Sequence, residues 1–262
     1  MADGGVLILL TTIAKKWLLA AGILFFTCIS SVQAMEIEDL IRHMDKLWRG
    51  ETSHALMSMQ VTTKNYQRTM VMETWSRGMD HSLVVIKDPI KDRGVATLKV
   101  KENIWNYLPK IDRVAKVPSS MMSGSWMGSH FTNDDLVRES TFETDYDSTI
   151  SYAGMRDGRL VYEIMSIPKE NSAVVWGKIV MIMDQKTLAP LTSEYYDEEG
   201  ELMRKMLFDK TRKINGFDVP MRMTLLPNDK PDESTIVEYQ SIEFAVPLQE
   251  NFFSLQNLKK GL

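Results

Sequence analysis

Side chains able to do acid–base, nucleophilic or metal chemistry are few and scattered in this chain. There are four histidines, His43, His54, His81 and His130, and none stands in the His-Glu-x-x-His arrangement that brings two imidazoles and a carboxylate to one helix face. Ser125, in Gly124-Ser125-Trp126-Met127-Gly128, falls one place too early for a nucleophile elbow, whose serine must occupy the centre of the turn. Acids gather at Asp134-Asp135, at Asp145 and Asp147, and at Asp197-Glu198-Glu199 with Glu201. None of these groups has calcium-loop spacing, so they read as solvated turns or helix starts, with Asn133 capping a short helix through Val137. No glycine loop of the phosphate-cradling kind occurs. The expectation is therefore a protein that is not an enzyme and uses no metal or cofactor. The residual alternative is a hydrolase assembled from distant residues.

Cys28 is the only cysteine, and it lies within an apolar run beginning at Trp17, just after Lys15 and Lys16. That run is shorter than the roughly 20 residues a spanning helix needs. It ends in Ser30, Ser31, Val32, Gln33 and Ala34, with small residues where a signal peptidase reads. Residues 1–34 are predicted to be a cleaved signal peptide and 35–262 a single exported domain, placed in the periplasm. Phe25, Phe26 and Thr27 precede Cys28 in place of the Leu-like and small residues of a lipoprotein signal, so lipidation there is not expected. Without Cys28 the remaining chain has no disulfide, thiolate nucleophile or cysteine-ligated metal.

The whole chain carries a formal charge of −4, and losing Lys15 and Lys16 with Asp3 leaves it more acidic. An acidic protein without clustered Lys and Arg is a poor ligand for phosphate backbones, so no nucleic-acid partner is expected. The 19 methionines are the compositional outlier. Their flexible, polarizable side chains suit surfaces that adapt to variable apolar ligands, and they also serve as core filler.

One helix is expected at the start of this domain, where Ile37, Leu40, Ile41, Met44, Leu47 and Trp48 share a face and Gly50 ends the pattern. After Gly50 the period becomes two. Met57, Met59 and Val61 alternate with polar residues, and the next segment sets Thr69, Val71, Glu73 and Trp75 on one side and Met70 and Met72 on the other. About ten strands follow in all, separated by turn signals such as Asp157-Gly158 and Asn215-Gly216. So many strands with short connections predict a mostly β, α+β fold, a large antiparallel sheet that curls, because an open sheet of that width rarely stays flat. The competing architecture is a two-sheet sandwich with a filled core. Pro109 to Leu136 is the one long stretch without clear periodicity, and a loop of that length is usually functional.

The most specific stretch is Ile104-Trp105-Asn106-Tyr107-Leu108-Pro109, followed by Arg113, Val117 and Gly124-Ser125-Trp126-Met127-Gly128-Ser129-His130-Phe131-Thr132-Asn133-Asp134-Asp135-Leu136. It resembles the signature of the LolA-like family of outer-membrane lipoprotein-sorting proteins, departing from it at His130 and Asn133. The resemblance implies a curved, incomplete antiparallel β-barrel covered by helices around an apolar cavity. It also implies a periplasmic carrier that takes lipoprotein or lipid cargo from an inner-membrane exporter to an outer-membrane acceptor. The alternative on the same fold is an envelope lipid sensor, or an adaptor for an inner-membrane transporter. A monomer is expected.

Two groups of residues follow as candidates. The cavity lining is assigned to Met57, Met59, Val61, Met70, Met72, Trp75, Met181, Met183, Met206, Met221 and Met223, which recur on strand faces. The cover or docking loop is assigned to Trp105, Tyr107, Arg113, Trp126, Met127 and Phe131. Large apolar residues in an irregular stretch must be buried somewhere, either as a movable cover or as a fixed plug.

Overall fold

The computed structural model describes residues 36–261 except 48, 139–141 and 173. The predicted signal segment and Cys28 lie outside the described residues.

Thirteen strands form one antiparallel sheet in the order β6-β5-β4-β3-β2-β1-β13-β12-β11-β10-β9-β8-β7. They are β1 (Thr52–Thr62), β2 (Gln67–Arg77), β3 (His81–Asp88), β4 (Ala96–Val100), β5 (Asn103–Leu108) and β6 (Arg113–Lys116) in the first half. The second half comprises β7 (Tyr146–Arg156), β8 (Arg159–Pro168), β9 (Lys178–Asp184), β10 (Pro190–Tyr196), β11 (Leu202–Ile214), β12 (Phe217–Pro227) and β13 (Ser234–Phe244). Each strand pairs with its neighbour in sequence, apart from the crossover between β6 and β7. The last strand, β13, returns to lie beside β1.

Local chemistry sets this pattern. In β1 alternate side chains are buried along the full strand, as a sheet with one face on a core requires. The β7–β8 and β11–β12 hairpins turn on Asp157-Gly158 and Asn215-Gly216, and all four residues have positive φ. Two-residue hairpin loops demand that conformation, and Asp-Gly and Asn-Gly supply it at least strain.

The sheet is open yet strongly curved. Met79, in the β2–β3 turn, borders the same cavity as Met181 of β9 and Pro190 of β10. From β2 to β10 there are five strand spacings, about 24 Å across a flat sheet. Only a curled sheet brings these residues to one small cavity, so the incomplete antiparallel barrel expected from the sequence is what forms. The expectation of about ten strands falls short. The strand without a sequence signal is β6, inside the stretch read as irregular, because its four residues are too few to show a period.

Helix α1 (Ile37–Lys46) has Glu38 and Asp39 in its first turn and Lys46 in its last, in the sense its dipole favours. It buries Leu40, Ile41 and Met44, and Met44 reaches the interior of the curl. Two short helices, α2 (Asn133–Arg138) and α3 (Phe142–Asp145), belong to the crossover. On the outer face, α4 (Leu255–Lys260) starts at Ser254, whose hydroxyl accepts from the Asn257 amide, and ends at Gly261 in the left-handed region. Its Leu258, with Phe252 and Phe253, packs on Leu83, Val85, Ala96 and Leu98.

Candidate ligand cavity

The inner face of the curl is a methionine surface. Met57, Met59, Met70, Met72, Met206 and Met223 form one buried cluster with Val61, Val84, Ile86, Leu225 and Val237. Alternation fixes this, since each strand sends every second residue inward.

Two aromatic side chains enter the cluster from the crossover. Trp126 is 5% and Phe131 is 9% exposed. They flank a tight turn in which Met127 and Gly128 both have positive φ and the Ser129 amide donates to the Trp126 carbonyl at 2.9 Å. The Trp126 amide in turn donates to the Phe131 carbonyl at 2.7 Å, and Ser125 bridges Thr132. The result is a small hairpin whose two stems carry the aromatic rings inward. The indole Nε1–H donates to Thr97 Oγ1 at 3.2 Å, so the tryptophan is buried with its polar atom satisfied.

Polar contacts fasten this hairpin at its rim. Tyr66 donates its hydroxyl proton to the Gly128 carbonyl at 2.7 Å, and Arg68 Nη1 reaches the Met127 carbonyl at 3.5 Å. The His130 amide donates to Thr235 Oγ1 at 3.1 Å, and its ring lies 3.0 Å from Glu233 Oε2. The hydrogen bond with His130, helped by the Lys64 amide, holds the Glu233 carboxyl below the usual carboxylate range. Asn133 Nδ2 donates to the carbonyls of Met121 and Gly124, both at 3.1 Å. The residue expected to cap α2 thus closes the loop instead. Capping falls to Thr132, whose hydroxyl accepts from the Asp135 amide while its own amide donates to the Asp135 carboxylate.

Asp135 also anchors the crossover to the far wall. Arg204 donates to it in a bidentate pair, and the guanidinium lies 4.4 Å from the ring centroids of both Trp176 and Tyr195. Planar stacking plus a carboxylate fork is the arrangement guanidinium chemistry favours.

Space remains in two adjoining cavities of about 110 and 120 Å³. The first is bordered by Met44, Met181, Met206 and Phe208, the second by Met57, Val84, Trp126, Phe131 and Val237, and Arg49, Met223 and Tyr239 border both. A cavity of about 150 Å³ takes a benzene. Each space therefore admits a fragment of a chain, with Trp126 and Phe131 occupying the interior between the walls. Among the described residues no group of three or more His, Cys, Asp or Glu is placed to hold a metal ion.

A family model described as "Uncharacterized protein" matches residues 78–260, from the β2–β3 turn to α4. The crystal structure of a LolA superfamily protein from Nitrosomonas europaea superposes with a TM-score of 0.72 at 18% identity, over 86% of this chain and all of that one. The chain belongs to the family of that model, and its fold is LolA-like. A DUF1329 family protein from Desulfovibrio piger gives a TM-score of 0.74 at 23% identity, over 84% of this chain and 96% of that one. An outer membrane lipoprotein-sorting protein domain from Vibrio parahaemolyticus gives 0.70 at 24%, over 85% and 96%. No curated protein sequence matches.

Against this LolA-like frame, most of the lining candidates come together and a few do not. Met57, Met59, Val61, Met70, Met72, Met206 and Met223 share the main cluster, Met181 and Met183 are buried on β9, and Met221 joins Ala55, Val219 and Ile242 in a neighbouring cluster. Trp75 borders the second cavity from its place on β2, but its ring packs elsewhere. It alternates with Met70 and Met72 and so faces outward, stacked on His54 and packed against Phe252.

The cover candidates also divide. Trp126 and Phe131 are inside, with Met127 packed beside them. Trp105 and Tyr107 belong to the outer cluster under α4, because they alternate with Asn106, whose side chain meets Thr97 on the inner face. Arg113 is exposed on the edge strand β6. Neighbours in a sequence motif thus lie on opposite faces of the sheet, a consequence of the two-residue period.

Sequence reasoning did not single out Arg204, Thr235, Glu233, Tyr66 or Arg49. Arg204 gave one usable signal, a charge two residues before Met206 on an inward-facing register. His54 meets Glu73 at 2.8 Å on the outer face, where Lys87 also binds that carboxylate at 2.9 Å. Burial acts to raise the Glu73 carboxyl, but the hydrogen bonds from Lys87 and His54 outweigh it and hold the group low.

Proposed function

We propose that this LolA-like protein is a periplasmic carrier that takes acyl chains of lipoproteins or lipids into its curved sheet and moves them toward the outer membrane. The observation that carries this reading is the methionine interior filled by two aromatic side chains from a fastened crossover rather than by the walls themselves. A filling of that kind exchanges with a ligand without unravelling the sheet.

Magnitudes support an exchange. Withdrawing Trp126 and Phe131 costs about 2–3 kcal/mol each in lost burial, and each rim hydrogen bond about 1 kcal/mol. A cargo chain gains about 0.8 kcal/mol per buried methylene, so roughly sixteen carbons return on the order of 12 kcal/mol before ordering costs. The two sums are comparable, which suits a carrier that must also release. Delivery then needs only an acceptor offering a better apolar environment, and no nucleotide site in the carrier.

The test is gentle purification from a native envelope and mass spectrometry of the bound material. Triacylated protein supports the lipoprotein carrier, and free lipid supports lipid carriage. Recovery of neither, with the protein folded, counts against both.

A second reading, an adaptor for an inner-membrane transporter, has its own observation. Tyr152, Met155, Leu160 and Ile167 leave apolar surface exposed on the β7–β8 hairpin, away from the cavities. Site-specific crosslinking from Met155 in an intact envelope distinguishes it, since a single membrane-protein partner obtained without cargo favours the adaptor.

A further inference from the structure

The inner wall changes character along its strands. Met59 stands opposite Met70. In the next row inward-facing Met57 is opposite Met72, which is opposite Ile86. The third row runs Ala55, Thr74, Val84, Thr97. The fourth runs Ser53, Ser76, Ser82, Lys99 across β1 to β4. Six residues along β1, about 20 Å, thus separate a methionine wall from a wall of hydroxyls ending in an ammonium.

This polar row is inside the protein. Ser53 and Ser76 are buried with their hydroxyls 2.6 Å apart, and Lys99 is 2% exposed, donating from Nζ to the Met79 carbonyl at 2.6 Å. Met79 borders one cavity, while Ser53, Ser76, Ser82 and the guanidinium-bearing Arg49 border the other. Hydroxyls therefore border one cavity and the thioethers of Met44, Met181 and Met206 the other, with the Arg49 guanidinium bordering both and Lys99 ending the hydroxyl row. Hydroxyls and a guanidinium at a cavity wall donate charge-assisted hydrogen bonds to a phosphate or carboxylate, so this wall favours a ligand that brings a negative charge.

We propose that the cavity selects an amphiphile with an anionic head, its phosphate or carboxylate held at the Ser53–Lys99 row beside Arg49 and its chain lying along the methionines. This assignment rests on the acyl-carrier reading and names the chemistry of the cargo. Trp126 fits the same division: its ring lies among the methionines and its N–H binds Thr97 in the adjoining row.

The experiment compares four dodecyl probes below their micellar concentrations by calorimetry on the delipidated protein. They are dodecyl phosphate, dodecanoate, dodecyl maltoside and dodecyltrimethylammonium. The expected result is about tenfold tighter binding of an anionic probe than of the maltoside, with the trimethylammonium weakest. Lys99→Met and Ser76→Ala should each shrink that ratio, the maltoside serving as reference within every variant. Dodecyl phosphate ahead of dodecanoate assigns the head to a phosphate ester, and the reverse order assigns it to a free fatty acid. Equal affinities for all four, or a ratio that survives the substitutions, overturn the head-group site and leave the carrier standing. Failure of every probe to bind overturns the carrier reading itself. Should Lys99→Met not fold, Ser76→Ala and Arg49→Gln decide, and an unchanged ratio in both overturns the proposal.

Discussion

Arg204 and Asp135 meet through two parallel hydrogen bonds of 2.8 and 2.6 Å although 69 positions separate them in the chain, and their side chains are only 7% and 12% exposed. This pair ties the crossover to β11. Removing one partner of a buried pair typically costs about 3–5 kcal/mol, because the other charge is left in a poor solvent. Arg204→Met should lose stability of that order in denaturant titration. Arg204→Met with Asp135→Leu should recover a substantial part, and a double variant as unstable as the single one would contradict the account.

The rim contacts should control opening of the hairpin without controlling the fold. Tyr66→Phe deletes the bond to the Gly128 carbonyl and keeps the ring, so the expected loss is about 1 kcal/mol, local to the turn. Amides of residues 126–131 should exchange roughly fivefold faster while the β1–β13 ladder is unchanged. Hydrogen exchange with and without an acyl ligand then separates a movable cover from a fixed plug. Equal, strong protection over 119–133 in both states means a plug.

Methionines of similar burial should differ in what they tolerate. Met59 is 0% exposed within the cluster, whereas Met223 is 9% exposed and borders both cavities. Met59→Asp should unfold the protein, since a charge there has neither water nor partner. Met223→Asp should fold and bind acyl probes poorly. Loss of folding in both would make the Met223 position packed core rather than cavity wall.

His43 gives a stability change with acid. Burial against Phe217 holds its imidazole below the ordinary 6.5, partly opposed by Asp218. The unfolded chain therefore binds the proton more readily, and the stabilising difference is fully present above about 6.5 and declines as pH falls below it. Thermal melts of His43→Gln should show a shallower loss between pH 6.5 and 5 than the parent protein. An unchanged slope would remove His43 from that role.

Much of the sheet was legible because alternation and turn chemistry are local. The methionine face of β1 could be read from Met57, Met59 and Val61 alone, and Asp157-Gly158 and Asn215-Gly216 marked their hairpins. The family signature was legible too, but as a string it could not say which side of the sheet each residue faces. Trp105 and Trp126 belong to one motif and lie on opposite surfaces for that reason. Contacts such as Arg204 with Asp135, or His130 with Glu233, join positions about 70 to 100 apart and follow from curvature, which no local pattern encodes.

The return of β13 to β1 has a consequence for how the chain assembles. Every other ladder joins strands consecutive in sequence, so each half of the sheet is a meander that closes by short steps. Only the ladder pairing Ser53 with Phe244 spans nearly the whole domain, and it bears the entropy of closing that long loop. The halves can form early, but the seam between them waits for β13, the last strand to be synthesised. Until then both seam edges are open strand edges, exposed to pairing with other chains.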